Sequence, residues 1–200
     1  MRIGLVITMT AAFALGSLAA FALLPGGHAY LKGFATQQGR ALIGGPFELV
    51  RHDGKPVTHK TYEGKHLLVY FGFTHCPDIC PAGLQVITAA LEKLGPKAKD
   101  VKPVFVSVDP QRDTPDAMKD YVSSFHPSLD GLTGSKAQVA AMARTYRVYY
   151  NITPNPEHPE DYTVDHSGFM YLMAPDGRYV AHFSHHVAPA KLAERLAALL

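Results

Sequence analysis

Two cysteines are the only sulfhydryl groups in the chain, and they lie together in Phe71-Gly72-Phe73-Thr74-His75-Cys76-Pro77-Asp78-Ile79-Cys80-Pro81. Two sulfurs separated by three residues can close a disulfide, run thiol–disulfide exchange, or grip a soft metal. A structural bridge here would close so short a loop that it would constrain the unfolded chain little. A redox couple needs a lowered thiol pKa, and the usual thioredoxin motif has two intervening residues rather than three. Two thiolates suit Cu(I), but they leave the shell incomplete, so a metal site requires a third donor.

The elements around the pair decide where that donor can come from. His66 to Phe71 (HLLVYF) is a short continuous apolar run, the pattern of a strand buried on both faces. Leu84, Ile87, Leu91 and Leu94 then recur at helical spacing, and Gly95-Pro96 ends the helix. Val104 to Val108 is a second buried strand, so strand, helix and strand form a βαβ unit. The cysteines fall at the strand-to-helix junction, where free N–H groups and the helix dipole favour thiolate. The start of the helix is open between Pro77 and Pro81. Cys80 precedes a proline, which places it in the loop on one reading.

Further along, Thr114-Pro115 opens a second helix with Met118, Tyr121, Val122 and Phe125 on its apolar face, and Ser135 caps a third. A hairpin is predicted around His52-Asp53-Gly54-Lys55, between Phe47–Val50 and Pro56-Val57. A second strand pair, Phe169–Met173 with Tyr179–Phe183, flanks Pro175-Asp176-Gly177, and Pro189 starts a terminal helix. This order predicts a mixed sheet with helices on both faces, an α/β thioredoxin-like fold. In such a sheet the approach to the strand at Phe169 lies beside the cysteine loop. His166 stands there, in Asp165-His166-Ser167-Gly168, where disulfide oxidoreductases of this fold usually carry a proline. It offers an imidazole to the two sulfurs.

Composition narrows the class. Two hundred residues with a formal charge of +2 present no basic footprint for nucleic acid, and two cysteines exclude a disulfide framework. Ile3 to Leu24 is apolar and charge-free, and as a helix it would span roughly 33 Å, enough to cross a bilayer. Arg2 ahead of it favours a cytoplasmic N-terminus and an exported domain. A cleaved signal peptide, with Ala20-Phe21-Ala22 at its cleavage site, is the competing reading. The expected organisation is an anchor over 1–24, a linker over 25–40 and a folded domain over 41–200. No transit-peptide-like leader precedes the apolar segment, which favours a bacterial inner membrane with the domain in the periplasm.

Several blocks together carry a family resemblance. Gly44-Gly45-Pro46-Phe47, the run Tyr70 to Pro81, Val108-Asp109-Pro110-Gln111-Arg112-Asp113-Thr114-Pro115, Gly131 to Ser135, Asp161 to Ser167 and Tyr171-Leu172-Met173 resemble the Sco/SenC family of copper-binding assembly factors. The resemblance implies that Cys76, Cys80 and His166 bind one copper ion, as Cu(I) or Cu(II). It also implies a membrane-tethered metallochaperone, not an enzyme, serving the dinuclear copper centre of cytochrome c oxidase subunit II and exchanging metal with other periplasmic copper chaperones. A reductase that keeps the acceptor cysteines reduced, with Cys76 and Cys80 as its redox pair, is the alternative.

Other residues near these blocks admit two roles each. His75 adjoins Cys76 and supports the site from behind or binds directly. Asp78 shapes a turn or meets a partner. Asp109, Arg112 and Asp113 either recognise an acceptor or wire their own loop. His182, His185 and His186 read as surface histidines at a strand end, and Asp165 is expected to point away from His166.

Overall fold

The computed structural model describes residues 42–158 and 161–200. The apolar segment 3–24 and the linker lie outside the described residues. Leu42–Leu200 forms one compact unit.

Its frame is the βαβ unit. Strand β3 (His66–Gly72) runs into helix α1 (Ile79–Leu94), and β4 (Val101–Ser107) returns parallel to β3 with Tyr70 beside Phe105 and Gly72 beside Ser107. Both strands are buried along nearly their whole length, as continuous apolar runs require. The hairpin of β1 (Glu48–Arg51) and β2 (Pro56–Thr58) turns at the expected Asp-Gly, and β8 (Phe169–Met173) pairs with β9 (Tyr179–Ser184). With β5 (Asp130–Thr133), seven strands make one mixed sheet in the order β2-β1-β5-β4-β3-β8-β9.

The helices cover both faces. Tyr70, Phe105 and Gly131 share one face through direct pairing, and α1 approaches it so closely that a Cβ on Gly83 would lie 2.7 Å from the Tyr70 ring. Helix α2 (Pro115–Val122), capped by Thr114 Oγ1 accepting from Ala117 N, covers the same face at Gly131. On the opposite face Tyr146, at the end of α3 (Lys136–Thr145), packs its ring 5.5 Å from Phe71. The terminal helix α4 (Pro189–Leu199) lies against α1.

Three strands depart from the sequence-based expectation. β5 (Asp130–Thr133) pairs parallel with β4, although Asp-Gly reads as a turn. It is a strand because the Asp130 carboxylate is satisfied by Tyr62 Oη and Lys102 Nζ, and because Gly131 admits Met118 and Val122. Strands β6 (Tyr150–Thr153) and β7 (Thr163–His166) form a separate two-stranded sheet that leads into β8.

Since Tyr70 pairs with Met170 in the antiparallel β3–β8 ladder, the chain before Phe169 reaches past the end of β3. The C-terminal ends of β3 and β4, the start of α1 and the end of β7 therefore meet at one edge of the sheet, where open α/β sheets place their ligands.

Candidate metal centre

Helix α1 starts at Ile79, between the two prolines, so Cys80 sits inside the first turn rather than in the loop. Pro81 is tolerated there because the N–H it lacks would have no intrahelical acceptor. Cys80 is fully buried and Cys76, in the loop before the helix, is partly exposed. The sulfur of Cys76 lies over the helix N-terminus and accepts the Cys80 N–H at 3.4 Å.

A seat for the buried sulfur is cut into the sheet. A Cβ on Gly72 would lie 2.7 Å from Cys80 Sγ and 2.6 Å from the Phe105 ring. Glycine at the end of β3 thus lets the sulfur and the ring approach the backbone together.

His166 arrives from the other side. Its Nε2 stands 3.3 Å from Cys80 Sγ, its ring meets Phe73 edge-on at 5.9 Å, and its Nδ1 faces the Ser167 carbonyl at 3.2 Å. The carbonyl holds the proton on Nδ1, which leaves the Nε2 lone pair directed at the sulfur. The ligand atoms of Cys76, Cys80 and His166 all lie within 4.8 Å of one another. Among the described residues no other cluster of three metal-binding side chains occurs.

The electrostatics divide the two thiols. Cys76 is lowered to about 5, chiefly by the hydrogen bond from the Cys80 thiol and then by the helix N–H groups, against the opposing effect of burial. Cys80 is pushed up, because its proton is held toward Cys76 and because it is buried. The two sulfurs and the imidazole nitrogen converge on one position, the place a cation would take. Two thiolates and a neutral imidazole form a set that fits copper.

A chemical consequence is directly measurable. Reaction needs thiolate and access, so a short iodoacetamide pulse at pH 6–7 should alkylate Cys76 and spare Cys80. Labelling of Cys76 should fall away only as the pH drops through about 5. Mass mapping that found Cys80 labelled first, or Cys76 unreactive at neutral pH, would contradict this polarity.

The flanking residues sort themselves by contact. Asp113 is fully buried and accepts from Thr74 N (3.1 Å), Thr74 Oγ1 (2.6 Å) and Ser107 Oγ (2.6 Å), which ties the cysteine loop to β4. Asp109, also fully buried, accepts from the Arg112 guanidinium and from Tyr162 Oη (2.7 Å). These residues wire the loops. His75 is exposed, with Nδ1 3.0 Å from Thr74 Oγ1 and 3.9 Å from Asp113 Oδ1, and it is not among the converging donors. Asp78 is the residue before α1, with no side-chain capping bond. Asp165 faces outward and bonds Thr153 Oγ1 at 3.4 Å.

The histidine trio divides into His182 and the pair His185 and His186, whose ring centroids lie 3.8 Å apart. His182 is exposed beside Tyr179, whereas His185 is half-buried, with N and Nδ1 both on the Gly168 carbonyl at 3.0 and 2.8 Å. Sequence reasoning passed over Gly72, Phe73 and Tyr162. A glycine ending a buried strand is itself a signal of close approach, and Tyr162 shares the parity of His166.

A family model described as SCO1/SenC matches residues 35–200. The chain belongs to the SCO1/SenC family. The structure of Bradyrhizobium japonicum ScoI with copper bound is 46% identical, with a TM-score of 0.73, covering 79% of this chain and 99% of that one. BsSco, described as a member of the Sco family of cytochrome c oxidase assembly proteins in which a disulfide switch was identified, superposes with a TM-score of 0.61 at 27% identity, covering 82% of this chain and 97% of that one. The human mitochondrial SCO1 homolog is 44% identical over 161 residues, 80% of this chain and 53% of its own length. The chain thus spans about half the length of that relative.

Proposed function

We propose that this SCO1/SenC chain is a copper metallochaperone whose cargo is held by Cys76, Cys80 and His166 and destined for the dinuclear copper centre of cytochrome c oxidase subunit II. The observation that carries the reading is the convergence of three soft or borderline donors within 4.8 Å, the third brought from a different element 86 residues away. Its support from relatives is the copper in the Bradyrhizobium protein and the assembly role stated for the family of BsSco.

The geometry suits transfer as well as retention. Cys76 is at the surface and Cys80 is beneath it, so an incoming thiolate can replace the outer ligand first while the inner sulfur holds the metal. Residues 1–24 act as a membrane anchor and 25–40 as a linker, with the domain from 41 onward in the periplasm. There other copper chaperones load it. Among the described residues no helix is long and apolar enough to cross a membrane.

A second reading is favoured by the lowered pKa of Cys76 beside a partner thiol. In it the Cys76 thiolate attacks an acceptor disulfide and expels one acceptor thiolate. Cys80 then loses its proton and displaces the second, leaving a Cys76–Cys80 disulfide and a reduced acceptor dithiol. The two readings separate in one experiment. The full-length chain in detergent is titrated anaerobically with Cu(I), then mixed, loaded or metal-free, with an oxidase subunit II domain. Retention of one copper per chain, its movement to the acceptor, and loss of retention in Cys76→Ser/Cys80→Ser support the chaperone. Failure to retain copper, with acceptor reduction by the metal-free protein, would leave the reductase alone.

A further inference from the structure

The strand that delivers His166 is not part of the main sheet. β7 pairs with β6 in its own two-stranded sheet, with Tyr150 opposite His166. Alternate residues of an extended chain face opposite ways, and here Thr163 and Asp165 are exposed while Tyr162, Val164 and His166 turn inward. Val164 enters the apolar core and His166 meets Cys80.

Tyr162 is held at three points. Its hydroxyl donates to Asp109 Oδ1 at 2.7 Å, and its backbone carbonyl accepts Arg112 Nη1 at 3.1 Å. Its ring lies beneath the Arg112 guanidinium, with Cζ 3.7 Å from the ring centroid. The same guanidinium donates through Nε to the other oxygen of Asp109, so one arginine grips both the tyrosine and the buried carboxylate. Asp109 follows β4 almost directly and is anchored through its own N–H to Ser107 Oγ at 2.9 Å. From Tyr162 to His166 is a stiff lever of roughly 13 Å at the rise of an extended strand. Fixing one end fixes where the other stands.

We propose that Asp109, Arg112 and Tyr162 form a positioning clamp for the third metal ligand, holding β7 so that the His166 imidazole stands at the two sulfurs. The Arg112 guanidinium also lies 5.8 Å from the Phe73 ring, which meets His166 edge-on, so the clamp backs the imidazole from two sides while neither cysteine sulfur hydrogen-bonds to it. Loosening it withdraws the imidazole while leaving both sulfurs in place on the α1 side, which opens one coordination position to a thiolate from the acceptor. The inference rests on the copper reading above, and it assigns to these three residues a role in metal geometry that wiring their own loop does not require.

Arg112→Lys keeps the charge but loses the stacked plane and the paired donors, whereas Tyr162→Phe removes only the hydroxyl. In the full-length chain, Cu(I) affinity by chelator competition should fall about 10-fold in Arg112→Lys, the lower end of the range for groups that orient a metal ligand, and less in Tyr162→Phe. The Cu(II) electron paramagnetic resonance spectrum of both should move toward that of His166→Ala. The double variant Arg112→Lys/His166→Ala should bind no more weakly than His166→Ala alone, because the clamp acts through the imidazole. A wild-type spectrum and affinity in Arg112→Lys, or a loss that adds fully to that of His166→Ala, overturns the clamp even if the melting temperature falls. If His166→Ala matches the wild type in affinity and spectrum, the three-ligand copper reading itself fails.

Discussion

Gly72→Ala is expected to lower copper affinity about 100-fold, the upper end of the range for groups that orient a metal ligand, and to destabilise the fold by about 1–3 kcal/mol as an overpacking substitution. The new methyl would lie 2.7 Å from Cys80 Sγ and 2.6 Å from the Phe105 ring. Neither neighbour yields without cost, and the ring has the less room. Phe105 is fully buried between Tyr70, 6.0 Å away, and Tyr121, 5.5 Å away, and Cys80 is fixed in the first turn of α1. Because the sulfur is the softer obstacle, it gives way, and the ligand set loses its geometry before the domain loses its fold. Unfolding should shift by about 2–4 °C for each kcal/mol in a domain of this size. Combining the change with Phe105→Leu relieves the ring contact but not the sulfur contact. Stability should then partly recover while copper affinity stays low. Recovery of copper affinity in the double variant would show that the ring, not the sulfur seat, sets the metal geometry.

That glycine marks how far the sequence could be read. The elements that frame the site announce themselves, since β3 is a nearly continuous apolar run, β4 carries the apolar stretch Val104 to Val106, α1 repeats leucine and isoleucine at helical spacing, and β1–β2 turns on Asp-Gly. The convergence of Cys76, Cys80 and His166 was legible for the same reason: the frame dictates which loops meet at the end of β3. What escaped was the part of the site built from tertiary contact. β5 carries Asp-Gly and becomes a strand only because Tyr62 and Lys102 reach its carboxylate from distant segments. β6 and β7 are short, polar and half exposed, so they lack the periodic apolar signal that identifies a strand. The first turn of α1 begins two residues before Pro81 because helix starts tolerate proline, a rule that local sequence leaves open between neighbouring positions. The wiring carboxylates are a further case. Asp109 and Asp113 read as loop polarity, yet both are fully buried.

Asp113 is where that wiring carries the most energy. Asp113→Ala is expected to cost about 3–5 kcal/mol of unfolding free energy, since removing the carboxylate leaves Thr74 N–H and Ser107 O–H unpaired, at about 1–3 kcal/mol for each group not reached by water, and strips the Thr74 hydroxyl of its charged acceptor. Asp113→Asn should cost far less, on the order of 1 kcal/mol for a neutral replacement of a charge-assisted acceptor. Its amide oxygen can take the place of Oδ2, which serves the backbone N–H and the serine, while its NH2 group faces Thr74 Oγ1. The threonine hydroxyl can then turn its proton to the nitrogen of His75, already 3.0 Å away. The ladder Ala far below Asn, with Asn close to the wild type, distinguishes lost hydrogen bonding from lost charge. Denaturant unfolding with an unchanged slope reads it directly. Equal losses for the two variants would instead make the negative charge itself the stabilising feature. Because Thr74 lies two residues before Cys76, Asp113→Ala should also free the outer thiolate from its place over the helix N-terminus. The pH at which Cys76 ceases to be alkylated should then rise from about 5 toward the range of an ordinary thiol, whereas in Asp113→Asn it should hold.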